Sequence, residues 1–268
     1  MPKIQANGIT INYETQGAGE PLILIPFLAA DYACYAFQVA DYAKHFTCIS
    51  LDPRGAGETD KPDGVYSMEL FADDVAALMH SIGVERAHIS GVSLGAATGL
   101  WLAAKYPQRV ITLSVHSGWT KTDPFLKTVV EGWRSIAKGL DSVTEMVIQG
   151  IFPYCFTPEL YAAKPEYIEA LAAFVRGRPE QPMDAFMRQS GAVIAHDALA
   201  QLADIKAPTQ ITFGRHDLVC SLRFADAMTS AIKTHELLVF ETCAHAAIYE
   251  SVAEFNDKTL AFLNRHTG

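Results

Sequence analysis

Short apolar runs alternate with helix-period segments along this chain. Ile9 to Thr15 (ITINYET) alternates apolar and polar positions with period two and predicts an early antiparallel strand. Pro21 to Pro26 (PLILIP), Phe46 to Leu51 (FTCISL) and Ala87 to Val92 (AHISGV) are short, mostly apolar runs and predict buried strands. Between the last two, Ser67 to Gly83 (SMELFADDVAALMHSIG) repeats apolar residues at helical spacing, with Ser67 as N-cap and Gly83 as the stop. A second helix is predicted after Ser93 (LGAATGLWLAAKY), and a strand within Arg109 to Gly118 (RVITLSVHSG). Strands that alternate with helices in this way predict an α/β fold, a mostly parallel sheet covered by helices.

The pattern changes at Trp119. From there to about Ala200 the chain is helical and rich in aromatics, and no strand appears until Thr209 to Gly214 (TQITFG). Glu236 to Phe240 (ELLVF) predicts one more strand, and a closing helix begins near Ala247. Residues 1–118 and 201–268 therefore read as one core, with 119–200 as a helical insertion. Half of the residues are hydrophobic, ample for a buried core. The formal net charge is −9 and no Lys/Arg run exceeds a pair, which disfavours a nucleic-acid surface. The opening residues lack the apolar centre of a signal peptide, and no apolar stretch approaches the roughly 18 residues of a membrane span. Five scattered cysteines without CxxC spacing read as reduced thiols, so a cytoplasmic protein without membrane contact is expected.

Candidate chemistry centres on Gly91-Val92-Ser93-Leu94-Gly95, a G-x-S-x-G run between a predicted strand and a predicted helix. That context places a serine on a strained turn, its oxygen exposed at the C-terminal edge of the sheet and a helix N-terminus behind it. A serine hydroxyl needs a base, and the base needs an orienting carboxylate. Asp217 follows the strand Thr209–Gly214, and His245 lies in the loop after the next strand, both at the same sheet edge. No HxH, HExxH or DxD-type ligand set occurs, so neither metal nor cofactor is expected. Of the other histidines, His45 and His80 read as surface helix ends, and His88 and His116 as core groups. His116 also lies near enough to the site edge to line it.

With these motifs the chain resembles the α/β-hydrolase superfamily over essentially its whole length, and most closely small esterases and lactonases of the 3-oxoadipate enol-lactonase type. The resemblance is carried by PLILIP, LDPRGAGETDKP, the SGVSLGAATGLWLAAKYPQRV elbow and helix, IKAPTQITFGRHD and CAHAAIYESVAEFNDKTLAFL. It implies an eight-stranded sheet, Ser93 as nucleophile, His245 as general base then acid, and Asp217 as the orienting carboxylate. The insertion would be a cap over the pocket. Asp52 and Arg54 would stabilise a loop near the site. The chain departs from the family after the first core strand, where Pro26-Phe27-Leu28 stands in place of His-Gly. The first oxyanion donor is then the N–H of Leu94, and Leu28 is the candidate for the second, with Phe27 as the alternative.

The expected partner is a small or medium-sized, largely apolar ester or lactone, with Phe27, His116, Trp119, Trp133 and Phe152 as candidate pocket residues. A homodimer stays open. Three other activities share the scaffold: carbon–carbon bond hydrolysis of vinylogous diketones, cofactor-independent dioxygenation, and ligand reception with incidental turnover. A haloalkane dehalogenase is disfavoured, since its nucleophile would be Asp where Ser93 stands.

Overall fold

A computed structural model describes residues 2–268. Eight strands form one sheet: β1 (Lys3–Ala6), β2 (Ile9–Gln16), β3 (Pro21–Ile25), β4 (Thr47–Leu51), β5 (Ala87–Val92), β6 (Val110–His116), β7 (Thr209–Gly214) and β8 (His235–Phe240). Their spatial order is β1-β2-β4-β3-β5-β6-β7-β8. The β1–β2 and β2–β4 pairs are antiparallel, and every pair from β4–β3 to β7–β8 is parallel. The predicted runs match these strands to within one or two residues. β1 was not among them, because its four residues, KIQA, carry too little apolar pattern to register.

Helices α1 (Ala36–Tyr42), α2 (Met68–Ser81), α3 (Leu94–Lys105), α10 (Ala225–Ala231), α11 (Ala247–Glu250) and α12 (Val252–Asn264) accompany the sheet. α2 begins where its sequence says it should, for the Ser67 hydroxyl accepts a hydrogen bond from the Leu70 N–H at 3.0 Å. It buries Phe71, Val75, Leu78 and Met79. The central strands are buried on both faces, β5 along its whole length. This is why they read as continuous apolar runs and not as alternating ones.

Between β6 and β7 the chain makes six helices: α4 (Pro124–Leu140), α5 (Val143–Met146), α6 (Phe152–Cys155), α7 (Pro158–Ala163), α8 (Pro165–Arg176) and α9 (Met183–Ala195). A π-helical turn, Val147–Ile151, joins α5 to α6. Polar links tie this helical segment to loops of the sheet. The Arg178 Nε donates to Asp31 Oδ2 at 2.8 Å, Gln181 Nε2 to the Gly55 carbonyl at 2.7 Å, and Gln189 Nε2 to the Arg54 carbonyl at 2.8 Å. Among the described residues, no helix is long and apolar enough to cross a membrane.

Candidate active site

Ser93 sits between the end of β5 and the start of α3 with φ 53° and ψ −114°. A residue with a Cβ is strained there by about 1–3 kcal/mol. Its glycine neighbours have a steric reason. A Cβ on Gly91 would collide with the Gly95 carbonyl, and one on Gly95 with the Ile25 carbonyl of β3. The turn is thus folded hard against the neighbouring strand, which leaves the serine side chain as the part thrown clear. Its backbone is pinned from both sides. The Ser93 N–H donates to the His116 carbonyl at 2.9 Å, and its carbonyl accepts from the Ala97 N–H at 3.0 Å. The positive end of the α3 dipole therefore lies at the serine.

Asp217 is fully buried in the loop after β7. One carboxylate oxygen accepts the N–H groups of Val219 and Cys220, each at 2.8 Å. The other faces His245 Nδ1 at 2.8 Å. With the carboxylate as acceptor, Nδ1 is the donor of this bond, and in the neutral imidazole Nε2 is then the nitrogen that can accept a proton. His245 is itself buried, and its carbonyl accepts from the Ser117 hydroxyl at 2.9 Å. Ser93 and His245 line the same cavity, about 60 Å³ in volume, together with Phe27, Leu28, Trp133 and Phe152. Among the described residues no hydrogen bond joins the two. Such bonds are commonly loose until substrate enters.

The loop after β3 reads Pro26-Phe27-Leu28-Ala29, and Ala29 takes a positive φ of 60°. Proline removes one donor from this loop. Among the described residues, neither the Leu28 nor the Leu94 N–H donates to another group of the protein. Leu28 lines the Ser93 cavity.

A second cavity, about 80 Å³, shares Phe27, Val147, Phe152, Phe156 and Tyr249 with the first. It is largely apolar, with Asp31, Thr144, Arg178 and Gln181 as polar borders. The Arg178 guanidinium lies over the Tyr32 ring, 5.2 Å from its centroid.

The candidate pocket residues divide. Phe27 and Phe152 border both cavities, and Trp133 borders the first while its indole N–H donates to the Gly150 carbonyl at 3.0 Å. His116 and Trp119 border neither, which corrects the expectation that they line the pocket. Along β6 alternate side chains face opposite sides, and the His116 ring falls on the side of α12, 4.8 Å from the Phe255 ring, with Nδ1 on the Thr212 hydroxyl. Burial pushes its pKa down to about 3. Trp119 is buried against the His196 ring and donates to the Thr122 hydroxyl, so it packs the start of the helical segment between β6 and β7. Cavity residues that the sequence did not single out include Cys155, Ile248 and Tyr249. The last two follow His245 by three and four residues, the spacing of one helical turn, and that was the available signal. Burial pushes the Cys155 thiol pKa well up, which makes it an apolar wall group.

As expected from the sequence, Asp52 and Arg54 brace a loop. The Asp52 carboxylate accepts from the Asn12 side chain and the N–H groups of Tyr32 and Glu58, and Arg54 forms a buried pair with Asp74 at 2.6 Å.

Comparison with known proteins agrees with this architecture. The α/β-hydrolase fold family matches residues 20–252. A protein of Azorhizobium caulinodans named carbamate hydrolase RutD is 25% identical over 268 residues, covering 98% of each chain. The 3-oxoadipate enol-lactonase 2 of Acinetobacter baylyi is 25% identical over 98% of this chain and 96% of its own. The crystal structure of the enol-lactonase from Burkholderia xenovorans superposes with a TM-score of 0.86 at 23% identity, covering 98% of this chain and all of that one.

Proposed function

The chain belongs to the α/β-hydrolase fold family, and from that premise we propose that it is a serine hydrolase cleaving a small or medium-sized, largely apolar carboxylic ester or lactone. The observation that carries this reading is the 2.8 Å Asp217–His245 bond, made by a histidine that shares one cavity with Ser93 at the N-terminus of α3. Ser93 Oγ attacks the substrate carbonyl while His245 Nε2 takes its proton. The N–H groups of Leu94 and Leu28 then hold the oxyanion, aided by the helix dipole. Asp217 stabilises the imidazolium that forms. His245 returns the proton to the departing alkoxide, and water, deprotonated by the same nitrogen, releases the acid from the Ser93 ester. In this reading the insertion 119–200 is a cap. Its Trp133 and Phe152, with Phe27 from the core, exclude water and match an apolar acyl group. Two of the relatives are named for acting on a carbamate and a lactone, and both of those substrate classes carry a carbonyl carbon.

Ser93→Ala tests the mechanism. With an aryl ester, a lactone and a carbamate as substrates, we expect loss of about 10⁴-fold or more in kcat for whichever the wild type cleaves. The far-UV circular dichroism should be unchanged. Turnover near wild type in that variant would overturn the serine mechanism.

A further inference from the structure

One carboxylate joins the His245 loop to the insertion. Glu250, the last residue of α11, turns one oxygen back onto the N–H of Ala244, the residue just before His245. Its other oxygen accepts both the N–H of Thr157, at 2.6 Å, and the Thr157 hydroxyl, at 2.9 Å. Thr157 belongs to the insertion and is the N-cap of α7, where its hydroxyl oxygen also receives the Leu160 N–H at 3.3 Å. On the far side of His245, the Ala246 N–H donates to the carbonyl of Cys155, again in the insertion, at 2.9 Å. Both residues flanking His245 are therefore held by the segment 155–157, one directly and one through Glu250.

We propose that Glu250 is a positioning residue for His245, and that the general base is mounted jointly on the core and the cap. The proposal rests on the serine-hydrolase reading. Asp217 fixes the direction of Nδ1 but not the height of the ring above Ser93, which follows the backbone of residues 244–246. A displacement of about 1 Å in a reacting group can cost 10²-fold in rate. The chemistry of the link explains why a carboxylate stands here. Three donors converge on two oxygens, and the only complete match is a group that accepts on both sides. Glutamine has nearly the same shape, yet its NH₂ would face either the Ala244 N–H or the Thr157 N–H, so one side of the bridge must open.

The experiment compares wild type with Glu250→Gln, Thr157→Val and Thr157→Ser in two readouts. The first is kcat and KM on an aryl ester. The second is backbone amide exchange, by mass spectrometry, over a peptide spanning 242–249. Glu250→Gln should lower kcat about 10- to 100-fold, with KM changed by less than about threefold. Thr157→Val, which loses the hydroxyl half of the link, should speed exchange at 242–249 although the substitution lies in the insertion. Thr157→Ser keeps both hydrogen bonds and should restore wild-type exchange. A kcat within twofold of wild type in Glu250→Gln, with unchanged exchange, would overturn the proposal. If Glu250→Gln does not fold, Thr157→Val decides, and unchanged exchange at 242–249 overturns it equally. The two readings fail separately. Full activity in Ser93→Ala with faster exchange in Thr157→Val sinks only the serine mechanism. An inactive Ser93→Ala beside a wild-type-like Glu250→Gln sinks only the Glu250 bridge.

Discussion

Asp217 uses one oxygen to receive two backbone N–H groups and the other to hold His245. In Asp217→Asn the amide oxygen can take over the two N–H groups, which points the NH₂ at Nδ1. The imidazole must then carry its proton on Nε2 and can no longer accept one from Ser93. We expect kcat to fall about 10⁴-fold with KM nearly unchanged, read by steady-state kinetics on an aryl ester. A loss under tenfold would show that the tautomer is not what Asp217 controls. At this scale the three polar residues were legible, because a motif, a chain order and a shared sheet edge all converge on them. Their mounting was not. Ser117, Cys155 and Glu250 hold His245 through its own or neighbouring backbone atoms, and such bonds leave no pattern in side-chain type. His116 was misplaced for a simpler reason: at the end of β6, a shift of one residue moves a side chain to the other face of the sheet.

The elbow is an element-scale device, since it works only if β3, β5 and α3 approach within backbone contact. Gly95→Ala would force a methyl group into the Ile25 carbonyl. We expect a loss of about 3 kcal/mol or more, seen as a fall in Tm of roughly 6–12 °C or as loss of soluble protein. Gly132→Ala is the matched control. It lies in α4 with open space around the added Cβ, where alanine's better helix propensity should leave Tm unchanged or raise it. Equal Tm values for the two variants would mean that the elbow is not under this steric constraint. The strands of the core were readable because burial on both faces demands unbroken apolar runs, and α2 because Ser67 caps it. The lengths of the helices between β6 and β7 were not, since α5, the π-helical turn and α6 run on without interruption, Gly150 and Pro153 notwithstanding.

Across the whole molecule, burial couples stability to pH. The His116 ring is enclosed, Nε2 has no partner among the described residues, and its pKa is pushed down to about 3; burial also holds His196 down to about 4. Both stay neutral in the folded chain through mild acid, while in the unfolded chain they take up protons near pH 6.5. The unfolded state therefore binds more protons between about pH 6.5 and these lowered values. These two rings contribute stability that is fully present above about pH 6.5 and is lost as pH drops through that window. Denaturant unfolding at pH 7.5, 6, 5 and 4.5 should show this decline, and His116→Gln should flatten it. An identical slope in the variant would assign the acid sensitivity to other groups. The contacts seating the insertion, such as Arg178 on Asp31 and Gln189 on the Arg54 carbonyl, join residues more than a hundred positions apart. Periodicity reports which face of a helix is apolar. It does not report which distant loop that helix will meet.

In the proposed mechanism Ser93 carries the acyl group during turnover. The most direct measurement is acid quenching during hydrolysis of an activated aryl ester, followed by peptide mass spectrometry of the elbow segment. An acyl mass on Ser93 is expected, accumulating within one turnover and absent from Ser93→Ala. Steady hydrolysis by the wild type with the acyl group on another residue would contradict it.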